Sequence, residues 1–309
     1  MPKYLSFVLA AAILTGVSAR AASYDEAFSF YQKGDYANAL KLMRPLAESG
    51  DANAQYNMGA MYMNSLGVQQ DHKEAAKWLK MAADKGNVFA QLDLGNLHQT
   101  GLGVDKNYGE AMRLFKLAAA KKSATAEANI GVMYDRGLGV DQSYAEAGKW
   151  YKLAAEHGNT ESQHNLALMY SSGRGLNQDL KQAASWYKKA ADQGFDSSQL
   201  NYGVMLHSGQ GIARNDTEAV KYFRLAAKQR NGRAQFNLAT MYTNGEGVPV
   251  DLPKALVWFA AATGTLGGAE AKTAEDNSKE VAKAMTREQL VQAQQLIRDC
   301  RTGNFQKCD

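Results

Sequence analysis

A period of 36 residues governs this chain of 309. From Asp51, six units align without a gap, at 51–86, 87–122, 123–158, 159–194, 195–230 and 231–266. One column reads Gly67, Gly103, Gly139, Gly175, Gly211 and Gly247, and another Ala75, Ala111, Ala147, Ala183, Ala219 and Ala255. All four tryptophans, Trp78, Trp150, Trp186 and Trp258, share a single column. Repeats of this length are supersecondary units that cannot bury an apolar face alone, so neighbours must stack and share a continuous core.

Each unit reads as two helices. Ala54, Met58, Met61 and Tyr62 follow helical spacing, as do Ala126, Ile130, Met133 and Tyr134. The glycine column, with Gly101, Gly137, Gly173, Gly209 and Gly245 two places before it, then supplies residues able to take the positive φ of a tight reversal. Asp71, Asn107, Ser143, Asp179, Asn215 and Asp251 stand where a second helix begins. Three residues on come Glu74, Glu110, Glu146, Gln182, Glu218 and Lys254, which predicts capping boxes in all units but the last.

The pattern Ala-Gln-x-Asn-x-Gly-x-Met-Tyr, then Gly-x-Gly-Val, Ala, Trp and Ala-Ala, resembles the Sel1-like repeat, a relative of the tetratricopeptide repeat. Ala54 to Ala83, Ala126 to Ala155 and Ala234 to Ala262 match it nearly throughout. The resemblance implies an all-α fold, a right-handed superhelical solenoid of antiparallel helix pairs whose first helices line a concave surface. It also implies a non-catalytic adaptor that binds a protein or peptide, as in bacterial envelope assembly, secretion or host contact. Secreted cysteine-rich members of the family are associated with β-lactam binding or slow hydrolysis; they carry a cysteine pair in each repeat, which this chain lacks.

Residues 1–21 are expected to be a signal peptide: Lys3 precedes an uncharged apolar stretch from Tyr4 to Val17, and Ala19-Arg20-Ala21 has the small residues of a cleavage site. An exported, periplasmic or secreted bacterial protein follows from that expectation. Residues 23–50 read as a shortened leading unit and 267–309 as capping helices and a tail, in which Thr286 and Gln289 form a capping box. Cys300 and Cys308 flank a turn at Thr302-Gly303-Asn304 and are expected to form a disulfide in an oxidising compartment.

The chemistry of the composition is quiet. A formal charge of +4, from 35 basic and 31 acidic residues, argues against a nucleic-acid partner, and no segment beyond the leader is apolar enough for stable membrane insertion. The five histidines show no metal-ligand spacing, and no cofactor motif is present: the Gly-x-Gly recurs between helices and never follows a strand. Ser185 and Lys188 fit the Ser-x-x-Lys pattern of penicillin-recognising enzymes, without its companion motifs. Binding is therefore the expected activity.

Columns that repeat a residue serve the scaffold, whereas columns that vary on an exposed helix face are free to serve a partner. The candidate partner-binding groove comprises Tyr56, Asn57, Asn96, Arg136, His164, Asn165, His207 and Phe236. Its floor is a mostly apolar track of Tyr56, Leu92, Ala128, His164, Leu200 and Phe236. The neighbouring column of Asn57, Asp93, Asn129, Asn165, Asn201 and Asn237 suits either scaffold or ligand contact.

Overall fold

A computed structural model describes residues 23–308; the expected signal peptide lies outside the described residues. Among these residues there are sixteen α-helices and no strand. They fall into two compact units, one ending at Ala90 and the other starting at Gln91.

The first unit contains α1 (Tyr24–Gln32), α2 (Tyr36–Glu48), α3 (Ala52–Asn64) and α4 (His72–Asp84). Ala27, Met43, Ala47, Ala54 and Met58 are fully buried among them, with Tyr24, Phe28 and Trp78 packed around this core. Helix α5 (Val88–Thr100) follows. The second unit continues with α6 (Tyr108–Ala119), α7 (Ala124–Arg136), α8 (Tyr144–Glu156), α9 (Thr160–Ser172), α10 (Leu180–Asp192), α11 (Asp196–Ser208), α12 (Asp216–Lys228), α13 (Gly232–Asn244) and α14 (Leu252–Thr265). It ends with α15 (Gly268–Lys283) and α16 (Arg287–Thr302). Here α7 packs on α8, α9 on α10, α11 on α12 and α13 on α14, and each pair packs on the next.

Small residues set the spacing inside a pair. Phe115, Tyr151 and Phe223 of the second helices lie against Gly95, Gly131 and Gly203 of the first; a Cβ at Gly131 would stand 2.7 Å from the Tyr151 ring. Phe115 and Phe223 are almost completely buried as a result, each removing apolar area worth about 2 kcal/mol from water.

The first helices end as expected, on residues in the left-handed region such as Gly137, Gly173, Gly209 and Gly245. The second glycine of each turn has a further duty that only the fold reveals. Gly175 has a φ of +75°, and a Cβ there would lie 2.5 Å from the Tyr144 carbonyl carbon of the preceding repeat. The turn therefore rests directly on backbone.

The predicted capping boxes are corrected by the structure. The side chains of Asp71, Asn107, Ser143, Asp179, Asn215 and Asp251 do accept from the backbone N–H three residues on. The reciprocal half is absent at these six sites, because each cap residue's own N–H is already taken. It donates across the turn to a carbonyl of the first helix, as Asp179 N–H does to Tyr170 O at 2.9 Å and Asp251 N–H to Tyr242 O at 3.0 Å. Glu110 and Glu146 are thereby released to pair with Arg113 at 2.7 Å and Lys149 at 2.6 Å. The complete box occurs at Thr286 and Gln289, where α16 starts.

Successive repeats are also tied by a buried amide. Gln163, Gln199 and Gln235 sit on first helices, yet their Nε2 groups donate to the carbonyls of Ala155, Ala191 and Ala227 at the end of the preceding second helix. Their Oε1 atoms accept from Gln193, Gln229 and Thr265. Each of these carbonyls also accepts a backbone N–H of the turn that follows, from Gly158, Gly194 and Arg230, so the amide fills its second acceptor position while its own oxygen is satisfied. One repeat substitutes a carboxyl–imidazole contact, the buried Glu127 with His157 Nδ1 at 2.7 Å.

Cys300 and Cys308 form a disulfide, with both residues buried and their Cα atoms 4.3 Å apart. Gln306 Nε2 donates to Lys228 O, and Phe305 lies beneath the Arg230 guanidinium, so the tail folds against the end of α12.

Candidate functional site

A cleft of about 410 Å³ opens between α11, α13 and the start of α15. Leu200, Asn201 and Val204 supply one wall and Phe236 and Asn237 the next, with Leu266 and Thr273 beyond. These side chains share one face because positions three and four apart on a helix are neighbours. Asn201, Asn237 and Thr273 recur at the 36-residue spacing, as do Leu200 and Phe236. Arg233 and Glu270 close the rim through an exposed ion pair at 2.7 Å. Phe236 is anchored from below by an edge-on contact with Phe259, their centroids 5.4 Å apart.

One repeat earlier, His164 stands half-buried on α9. Its Nδ1 lies 2.8 Å from Ser198 Oγ, and its ring meets Phe195 and Tyr187 at centroid distances of 5.0 and 5.6 Å. Burial holds its pKa below the usual histidine value. Ser198 is fully buried, so this Ser-His contact is unsuited to nucleophilic attack on a solvent-borne substrate.

The structure distributes the sequence-predicted site residues unevenly. Phe236 lines the cleft, and His164 and Asn165 lie on α9, one repeat before Leu200 and Asn201 of the cleft wall. Asn96 is exposed and accepts from Asn129 at 3.3 Å. Arg136 is exposed at the end of α7. His207 is directed to Asp216, 2.8 Å from Nδ1, and does not line the cleft. In the first unit Asn57 is buried and donates to Tyr24 Oη at 2.7 Å, and the Tyr56 ring lies 5.7 Å from that of Phe89.

Sequence reasoning entered one further column at Asn96 but missed its apolar members Val132, Leu168 and Val204, of which Leu168 and Val204 are each 41% exposed. Four residues beyond the apolar floor column, it falls on the same helical face, which is the signal that would have found it. Phe195 was also missed. It occupies the cap position filled by Asn159 and Asn231 in adjacent repeats, and α11 lacks a side-chain cap in consequence.

The Ser185 and Lys188 pattern lies on the exposed side of α10. Lys188 Nζ is 2.6 Å from Asp192, and that hydrogen bond raises its pKa above the ordinary lysine value. A lysine held protonated cannot take a proton from Ser185. Among the described residues no group of three or more His, Cys, Asp or Glu side chains could hold a metal ion, and no helix is long and apolar enough to cross a membrane.

The Sel1 repeat family matches residues 52–87, 88–123, 124–159, 160–195, 196–231 and 232–263. Among solved structures, a Sel1 repeat protein from Oxalobacter formigenes is 28% identical, with a TM-score of 0.66 over 77% of this chain and 96% of that one. A protective antigen present in uropathogenic Escherichia coli strains and displaying an SLR fold is 24% identical, covering 91% of this chain and 77% of that chain with a TM-score of 0.45. An immunity protein from Pseudomonas aeruginosa is 18% identical, covering 74% and 81% with a TM-score of 0.40. No curated protein matches the chain. Sel1 repeat proteins generally mediate protein–protein interactions on a scaffold that is generally non-catalytic. With most of its length matched and its helix pairs in the register of that repeat, this chain belongs to the Sel1 repeat family, an all-α solenoid fold.

Proposed function

We propose that the chain is a non-catalytic scaffold that holds a partner's peptide segment on the exposed face of its first helices. One observation carries the reading: residues from varying columns, Leu200, Val204 and Phe236, converge on a cleft whose supporting columns repeat. Such a face offers apolar anchors with amides beside them, the combination that suits an extended segment. His164 and Asn165 extend this face by one repeat, and Arg136 and His207 are assigned to its margins. In the first unit, Tyr56 is assigned the equivalent role, while Asn57, buried and bonded to Tyr24, supports it from beneath. We further place the protein outside the cytoplasm, in envelope assembly, secretion or host contact; the leader-like sequence and the disulfide support this.

Photo-crosslinking tests the reading. A benzoylphenylalanine at position 204 is expected to give a discrete adduct in cells, lost when Phe236→Ala is added, while the same probe at position 185 on α10 gives none. The same adducts from both positions, or an adduct at 204 indifferent to Phe236→Ala, would overturn it.

A further inference from the structure

The exposed face of α9, α11 and α13 is unusual in what it omits. Beyond Glu161, Asp196 and Arg233 in their first turns, these three helices carry no Asp, Glu, Lys or Arg at all. The intervening second helices are the opposite: α10 exposes Lys181, Lys188 and Lys189, and α12 exposes Lys221. In a chain with 21% charged residues, an open face with half-exposed Leu168 and Val204, whose cleft is lined by charge only at the rim, where Arg233 and Glu270 pair with one another, is a selective surface. Any charge brought onto it would lose water and would have to compete with the existing Arg233–Glu270 pair for a counter-charge.

The repeat also surrenders local stability at this face. Phe195 replaces a capping side chain, a change that weakens the helix start, and its ring contacts His164. Ser198 stands in a column otherwise filled mainly by alanine, and it engages His164 Nδ1. Two departures from the repeat, Phe195 and Ser198, therefore converge on a single imidazole, with Nδ1 occupied and Nε2 left as its remaining hydrogen-bonding atom. A local rule broken at one place for one side chain is the mark of a functional position.

We infer that this face is a site for an uncharged, extended peptide segment, in which His164 Nε2 makes a hydrogen bond to a neutral group of the segment and Phe236 receives an apolar side chain. The inference rests on the proposed scaffold reading and adds the chemistry of the occupant. An extended strand advances about 3.3 Å per residue, so side chains three positions apart stand about 10 Å apart along the segment. Burial keeps the His164 ring neutral near pH 7, so it recognises a hydrogen-bonding group and not an anion.

The test uses fluorescence anisotropy of the full chain with labelled nine-residue peptides, acetylated and amidated at their ends. One set is uncharged, with Leu or Phe at two positions three apart; a matched set carries Glu or Lys beside each anchor. Uncharged peptides are expected to bind at least tenfold more tightly than either charged set. His164→Phe, which keeps a ring between Phe195 and Tyr187, is expected to weaken them about fivefold, the value of one hydrogen bond. His164→Phe also removes the partner of the buried Ser198 hydroxyl and should lower the melting temperature modestly, so binding is read well below the melt; Phe236→Ala should weaken every peptide that binds. Equal or tighter binding of the charged sets, with Phe236→Ala still weakening it, overturns this inference and leaves the scaffold reading standing. Binding unaffected by His164→Phe removes the assigned role of His164. Failure of every peptide to bind, or binding indifferent to Phe236→Ala, overturns both.

Discussion

The two exposed helix faces of the second unit are built from one repeat and differ in kind. On the second helices, charges pair along the surface: Glu146 with Lys149, Lys152 with Glu156, and Lys188 with Asp192. On α9, α11 and α13, beyond their first turns, the corresponding surface has amides, hydroxyls and half-exposed apolar groups. The interior between them is nearly invariant, with Ala147, Ala183, Ala219 and Ala255 all fully buried. Where water is the only neighbour, charge provides solubility at little stabilising effect. Where it is withheld, the surface has been left for something else to cover.

This contrast can be broken at several depths. The largest effect should come from the shared turn: Gly175→Val puts a β-branched residue at positive φ against the Tyr144 backbone, and is expected to cost about 3 kcal/mol or more in urea unfolding. Both faces should suffer together. A loss under 1 kcal/mol would mean that the turn yields and the seam is softer than described.

Next comes the buried amide. Gln199→Leu removes one of the two hydrogen bonds to the Ala191 carbonyl and one of the two made by the Gln229 amide, a loss of about 1 kcal/mol. Urea unfolding indistinguishable from wild type would show that these amides do not hold neighbouring repeats together.

A gain is expected at Asp93, the one acid in the asparagine column of the six repeats. Burial raises its pKa, so the folded state is favoured by protonation and loses stability as pH rises through the folded value. Asp93→Asn should therefore raise the melting temperature at pH 7 by roughly 2 °C and have little effect at pH 3. An equal shift at both pH values would contradict the role of charge.

His164 has the opposite sign. Its folded pKa is depressed, so its contribution is complete above the unfolded value of 6.5 and is lost as pH falls through the folded one. Comparing wild type with His164→Phe by thermal melts from pH 7.5 to pH 5 should show a shallower decline in the variant. Parallel curves would indicate that the imidazole charges freely in the native state. The smallest effect belongs to the outer face, where Glu146→Gln should change stability by less than about 0.5 kcal/mol.

Much of this was legible in the residues alone because repetition acts as an internal control. A glycine present in every unit announced a turn, and an Asp, Asn or Ser at one phase announced a helix start. The capping boxes at Asp71 and its counterparts were misjudged because a competing acceptor, the carbonyl at the end of the first helix, comes within reach only when the turn closes. The role of Gln199 and Gln235 was obscure for the same reason, since each serves a carbonyl that precedes it by eight residues and a side chain that follows by thirty. Among the candidate groove residues, Phe236 was recognisable as a varied apolar position, whereas Val204 was passed over although it lies on the same helical face.

Composition and period by themselves determined that these chains of apolar stripes must form helix pairs and stack, since no single pair can shield its own stripe from water. Which varied side chains share a cleft, and which are spent on neighbours as Asn57 is on Tyr24 and His207 on Asp216, was decided only by tertiary packing. A helical period gives the direction of a side chain around its own axis; what it meets there depends on the path of other segments, and those paths are fixed by contacts distant in sequence.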